Sequence, residues 1–216
     1  MKKYYIGVFS VFLALFLVLF SYPVRADLPL QGKVLAIDCG HGGLDPGSLY
    51  NDIYEKDITL SIGKYLEEYL SEMGATVIMI RTSDSDLSNG VKNHRKKADF
   101  DERIKIINQK IVDMYVSIHL NYLTDTRYYG AQVFYNKNNE ELAKSIQEYL
   151  NNNTNTDREV KRIPTSTYMY DKLNTNGVLV ECGFLSNATE RSKLVTKEYQ
   201  SKFAKILAQA ISHYYN

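Results

Sequence analysis

Apolar positions follow two alternating rhythms along this chain. Short continuous apolar stretches fall at Lys33 to Asp38, Ala75 to Arg81, Val112 to Ile118, Ala131 to Tyr135 and Gly177 to Glu181, each bounded by glycine or polar residues. Their length and β-branched content predict buried strands. Between them the spacing changes to that of a helix. Ile58, Ile62, Leu66, Tyr69 and Met73 keep a 3.6-residue period, and Phe203, Ile206, Leu207, Ala210, Ile211 and Tyr214 do so at the C-terminus. Arg95 to Asn108, with Ile104 and Ile107 turned inward, and Glu140 to Leu150 complete the helical set. Gly74 is placed to end the first helix in a left-handed cap. Asn187, with Glu190 three residues on, resembles a capping box. Thr82 to Asn93 and the segment from Asn151 to Thr165 are polar and without period, and read as loops. Strand and helix in alternation predict an α/β fold: a single three-layer domain, a twisted, mostly parallel sheet of about six strands with helices on both faces.

The first 26 residues stand outside that pattern. Lys2-Lys3 precedes an uninterrupted apolar run from Ile6 to Phe20, followed by Ser21-Tyr22-Pro23-Val24-Arg25-Ala26. A basic start, an apolar core and small residues at 24 and 26 read as an export signal. A retained N-terminal membrane anchor is the second reading, the run being near the lower limit for a span. Either places residues 27–216, the predicted folded domain, outside the cytoplasm. The whole chain has a formal charge of +1. Without Lys2, Lys3 and Arg25, acidic residues outnumber basic ones by two, which gives no case for nucleic acid as a partner. Two cysteines, Cys39 and Cys182, are too few for a disulfide scaffold.

Chemistry gathers where the predicted strands end. Leu35-Ala36-Ile37-Asp38-Cys39-Gly40-His41-Gly42-Gly43 delivers a histidine at the end of the first strand; Val116-Ser117-Ile118-His119 repeats the pattern. Val178-Leu179-Val180 delivers Glu181, and Glu55 opens the first helix. Neighbouring strands of one sheet bring their ends together, so two histidines and two carboxylates can meet at one rim. Two histidines and a carboxylate make a catalytic zinc set that leaves a position open for water. His41, Glu55 and His119 would be those ligands. Each residue alone has a plainer explanation: a lone histidine is usually a packed one, and Glu55 suits a helix N-terminus. Glu181 is harder to dismiss, because a carboxylate after Val-Leu-Val is costly to bury without a task. His94 and His213 lack a comparable setting.

Four ordered signatures carry a resemblance: Ile37 to Gly43, Glu55 leading into its helix, Ser117-Ile118-His119-Leu120-Asn121, and Glu181-Cys182-Gly183-Phe184-Leu185-Ser186-Asn187. Together they resemble the zinc-dependent N-acetylmuramoyl-L-alanine amidases, the Amidase_3 family, over residues 33 to about 213. The resemblance implies that His41, Glu55 and His119 hold Zn²⁺ and that Glu181 is the catalytic carboxylate. Within the family the chain is most similar to the germination-specific amidases of the spore cortex, through Ser83 to Leu87, Glu102-Arg103, Gly130 to Tyr135 and Lys161-Arg162-Ile163. Two departures stand out: Cys39 occupies a position where the family usually has proline, and Cys182 replaces a small aliphatic residue. Only ten residues separate His119 from Gly130, leaving no room for the inserted helix that blocks zinc in some members.

The implied reaction is hydrolysis of the amide between the lactyl group of N-acetylmuramic acid and L-alanine of peptidoglycan, preceding muramic-δ-lactam formation. A separate deacetylase is the implied functional partner, and an accessory protein is compatible with the sequence. Arg103 and Asn121 are candidate substrate-binding residues. Two alternatives come from other classes: an amidase with Cys39 or Cys182 as nucleophile, and a wall-binding module without catalysis.

Overall fold

The computed structural model describes residues 28–216; the segment read as export signal or anchor lies outside them. In chain order the elements are β1 (Val34–Cys39), β2 (Leu49–Tyr50), β3 (Ile53–Tyr54), α1 (Glu55–Glu72), β4 (Thr76–Met79), α2 (Arg95–Ile107), β5 (Met114–Asn121), β6 (Gln132–Tyr135), α3 (Glu140–Thr154), β7 (Lys161–Arg162), α4 (Tyr168–Lys172), β8 (Gly177–Phe184), α5 (Ala188–Leu194) and α6 (Lys197–Tyr215). Six strands form one sheet in the order β4-β1-β5-β8-β6-β7. β4, β1, β5 and β8 run parallel, and β6 reverses against β8 with β7 alongside it. No helix among the described residues is long and apolar enough to cross a membrane.

The period of two along each strand divides the sheet into unlike faces. Leu35, Ile37 and Cys39 of β1, Met114, Val116, Ile118 and Leu120 of β5, and Val178, Val180 and Cys182 of β8 point to one side. There they pack with α1, α3 and α6 in the larger core. The intervening positions point the other way. Ala36, Tyr115 and Leu179 meet Ile107, Met169, Tyr170 and Leu173 in a smaller core beneath α2 and α4. Further along the same strands, that face carries Asp38, Ser117, His119 and Glu181. One face is thus closed by apolar packing; the other has polar side chains at the C-terminal strand ends, where α/β sheets commonly bind ligands.

The structure adds to the sequence reading at three places. The apolar stripe from Phe203 to Tyr214 lies on one helix, α6, which Thr196 starts by accepting a hydrogen bond from Tyr199 N; the short α5 precedes it, parted from it at Val195 and Thr196. Asn187 caps α5 by accepting from Glu190 N at 3.0 Å. Glu190 does not return the bond, as a full capping box would. Its Oε2 instead accepts from Gly130 N at 2.9 Å and Phe184 N at 3.0 Å, tying the entry of β6 to the end of β8. Finally, the polar stretch from Asn151 is held by side-chain bonds: Asn151 donates to Arg158 O at 2.8 Å and accepts from Arg158 N at 3.2 Å. This folds the chain back so that β7 pairs with β6, after which α4 forms.

Candidate metal centre and active site

β1 ends at Cys39 and its backbone turns at once. His41 has φ of 64°, a left-handed conformation uncommon for a residue with a side chain. The loop that follows returns through the β2–β3 hairpin to Glu55, the first residue of α1, whose N–H donates to Ser48 O at 3.0 Å. Glu55 is buried, and four groups converge on its carboxylate. Oε2 accepts from Ser48 N at 2.7 Å and Oε1 from Leu120 N at 2.9 Å. Oε1 also lies 3.1 Å from His41 Nε2 and 3.1 Å from His119 Nδ1. The two imidazole rings meet edge to face with centroids 5.0 Å apart. One ligand atom from each of His41, Glu55 and His119 lies within 4.8 Å of the others.

The electrostatics follow from this crowding. Burial alone would raise the Glu55 carboxyl, but hydrogen bonds from His119 and His41 outweigh it and hold the group well below the usual carboxylate range. Burial likewise opposes charge on His41, yet its bonds to Asp45 and Glu55 push the imidazole up to about 9. Such a carboxylate between two imidazoles is a site where a divalent cation can replace the shared protons. The donor set, two nitrogens and one carboxylate oxygen, fits catalytic zinc. An outer support is also present: Asp45 Oδ1 lies 3.2 Å from His41 Nδ1, leaving Nε2 to face the centre, and Lys96 lies 3.3 Å from the other Asp45 oxygen.

Glu181 stands beside this cluster without belonging to it. It is the register partner of His119 across β5 and β8, so both side chains rise from the same face. Its Oε2 is buried with no hydrogen-bond partner among the described residues, and burial is the largest cause that pushes its carboxyl up to about 7. A group of that pKa can both take and give a proton near neutrality. The open cleft here, about 460 Å³, is lined by His41, Glu55, His119, Asn121, Tyr122 and Glu181, among others. A larger groove of about 590 Å³ beside Tyr129, Asn153, Tyr199 and Phe203 contains no comparable cluster of ligands.

Two glycines make room for the centre. A Cβ on Gly40 would sit 2.4 Å from the His119 ring, and one on Gly47 would sit 2.6 Å from His41 and 2.7 Å from Glu55. Gly40→Ala is therefore expected to displace His119 and cut zinc retention at least tenfold, read by metal analysis after dialysis. Retention equal to the parent protein would show that the loop yields without moving the ring.

Of the candidate substrate-binding residues, Asn121 lines the cleft. Arg103 does not have the exposure expected of it. It is 2% exposed, and its guanidinium donates to Asp99, Asp38 and the carbonyls of Cys39 and His41, a set of acceptors that leaves it facing the protein. The thiol alternative meets a similar obstacle. Cys39 and Cys182 are buried and unbridged, on the sheet face opposite Glu181. Burial pushes Cys39 up to about 12 and Cys182 well above its ordinary value, which withholds the nucleophilic thiolate. Sequence reading missed Asp45, Arg81 and the buried pair Asp38–Ser117, joined at 2.7 Å. Asp38 lies inside the quoted motif, and its charge within an apolar strand was the available signal.

The sequence profile of the N-acetylmuramoyl-L-alanine amidase family matches residues 35–213. The germination-specific N-acetylmuramoyl-L-alanine amidase of Bacillus subtilis is 41% identical over 196 residues, 88% of this chain and 82% of that protein. Among solved structures, the CwlD amidase of Clostridioides difficile, in complex with the GerS lipoprotein, superimposes with a TM-score of 0.78 at 38% identity, covering 84% of this chain and 98% of that one. The catalytic domain of CwlV from Bacillus (Paenibacillus) polymyxa var. colistinus gives 0.73 at 26% identity, over 84% and 97% of the two chains.

Proposed function

The chain belongs to the N-acetylmuramoyl-L-alanine amidase family, and from that premise we propose that it is a zinc-dependent hydrolase of the bond between the muramoyl lactyl group and L-alanine in spore-cortex peptidoglycan. The observation that carries the reading is the pairing of a His41–Glu55–His119 donor set with an unpartnered, buried carboxylate oxygen on Glu181. When bound, zinc would act as a Lewis acid on the amide carbonyl and on water in the cleft. His41, Glu55 and His119 would hold it, with Asp45 fixing the tautomer of His41. Glu181 takes a proton from the attacking water on its Oε2 and passes it to the alanine nitrogen as the C–N bond breaks. The products are the lactyl carboxylate and a stem peptide with a free amino end. Asn121, at the cleft wall, is placed to touch substrate.

Residues 27–216 form the catalytic domain, exported behind the signal or anchor in 1–26, and the product is N-acetylmuramic acid freed of its stem peptide, ready for a deacetylase and lactam formation. The C. difficile relative was solved with a lipoprotein, which supports an accessory protein for this chain too.

Digestion of cortex peptidoglycan by the purified protein with added zinc, read by mass spectrometry, tests the reading: new L-alanine amino termini are expected. Intact stems, or cleavage at a glycosidic bond, would overturn it. A Cys39→Ala, Cys182→Ala double variant is expected to melt at a lower temperature, since both side chains fill the larger core, and to keep its turnover below that temperature. Lost turnover at normal zinc content would restore a thiol mechanism.

A further inference from the structure

Two buried arginines converge on the loop that carries His41. Arg81 donates from Nε to Cys39 O at 2.8 Å and from Nη2 to Gly40 O at 3.0 Å. Arg103 donates from Nη1 to Cys39 O at 3.1 Å and from Nη2 to His41 O at 2.7 Å. Three successive carbonyls are thereby held from two sides. Arg81 is 3% and Arg103 2% exposed, so both bond sets are held largely away from water.

Each arginine also reaches a second metal-ligand element. Arg81 Nη2 donates to Lys56 O at 2.7 Å and to Thr59 Oγ1 at 3.2 Å, within the first five residues of the helix that begins with Glu55. Thr59 Oγ1 in turn donates to Gly40 O at 2.9 Å. Arg103 Nη1 pairs with Asp38 Oδ1 at 2.5 Å, and Asp38 Oδ2 accepts from Ser117 Oγ at 2.7 Å. Ser117 lies two residues before His119 on the same face of β5. Asp99 anchors the far side of Arg103 at 3.0 Å.

We propose that Arg81 and Arg103 are positioning residues for the metal centre: Arg81 sets His41 against Glu55, and Arg103, through Asp38 and Ser117, sets His41 against His119. The inference rests on the zinc reading above. Its physical basis is that His41 comes from a short loop in a left-handed conformation, which the chain would not hold unaided. Three ligands from separate segments bind a cation tightly only if their spacing is fixed before it arrives. A guanidinium suits the task because its rigid fork can hold two carbonyls and a neighbouring element at once; an ammonium is a single point of charge.

The test uses Arg81→Lys and Arg103→Lys, which keep the buried charge and remove the fork, and Thr59→Val and Ser117→Ala, which cut each strut at a small neutral link. Zinc affinity is measured by competition with a chromophoric chelator, alongside the melting temperature with and without zinc. The lysine variants are expected to bind zinc about 10–100-fold more weakly, the two neutral variants several-fold more weakly. The rise in melting temperature on adding zinc should shrink in step. If all four variants lower the melting temperature of the metal-free protein and leave zinc affinity at the parent value, the arginines serve the fold alone and the proposal is overturned. An increase in KM with parent zinc affinity would overturn it in favour of a substrate contact. Should a lysine variant fail to fold, the neutral change on the same strut decides the matter. A parent protein that did not bind zinc would instead refute the functional reading beneath.

Discussion

Replacing Glu181 with glutamine is expected to lower turnover by about 10²–10⁴-fold, the range of a lost general acid–base group, while zinc content stays at the parent value. β8 places Glu181 beside His119, but its oxygens lie outside the group of three ligand atoms that fall within 4.8 Å of one another. It lines the same cleft, which is the position proposed for a base that acts on water without joining the ligand set. Glutamine keeps the side chain's length and its fit while removing the ability to accept a proton. Because burial disfavours a charge on this side chain and glutamine carries none, the variant should be no less stable than the parent. A fourth metal ligand would behave differently: the variant would lose zinc and melt earlier. Turnover, metal content and melting temperature on one preparation separate the two, and parent-level turnover would refute the mechanism.

His119→Ala and Glu55→Gln are expected to abolish hydrolysis together with zinc retention, the second large effect. Glu55 receives two backbone N–H groups and faces two imidazoles, so its charge is the element that draws the centre together. Its amide analogue would set an N–H₂ group against donors and leave the histidines without a counter-charge. His119→Ala removes one of three donors. A protein stabilised by a bound metal loses that contribution with the metal; a ligand present at 1,000 times its Kd contributes about 4.1 kcal/mol. Zinc addition should therefore raise the melting temperature of the parent and leave both variants unmoved. A chelator should silence the parent, and alkylation of thiols should not, because both cysteines are buried. A His119→Ala protein with full zinc occupancy would exclude that residue as a ligand.

The strand–helix order, the α/β class, the His41, Glu55 and His119 candidates and the carboxylate at 181 were all determined by the sequence itself. The physical reason is locality. Apolar period, glycine-rich exits and a charge ending an apolar run are properties of a few adjacent residues, and α1, β5 and β8 fall within a few positions of their expected ends. Short elements escaped because their stability is not local: α4 has five residues, too few for a period, and β7 exists through pairing with β6. Tertiary structure alone decided what faces what. Whether Arg103 meets a ligand or the protein depends on Asp38, 65 positions away along the chain, and no pattern around residue 103 reports that. The pairing of Arg81 with Cys39 and Gly40, of Asp45 with His41, and the burial of both thiols beneath α1 and α6 likewise arise from which strands became neighbours. Periodicity assigns a side chain to a face of the sheet; only packing sets the partner it meets there.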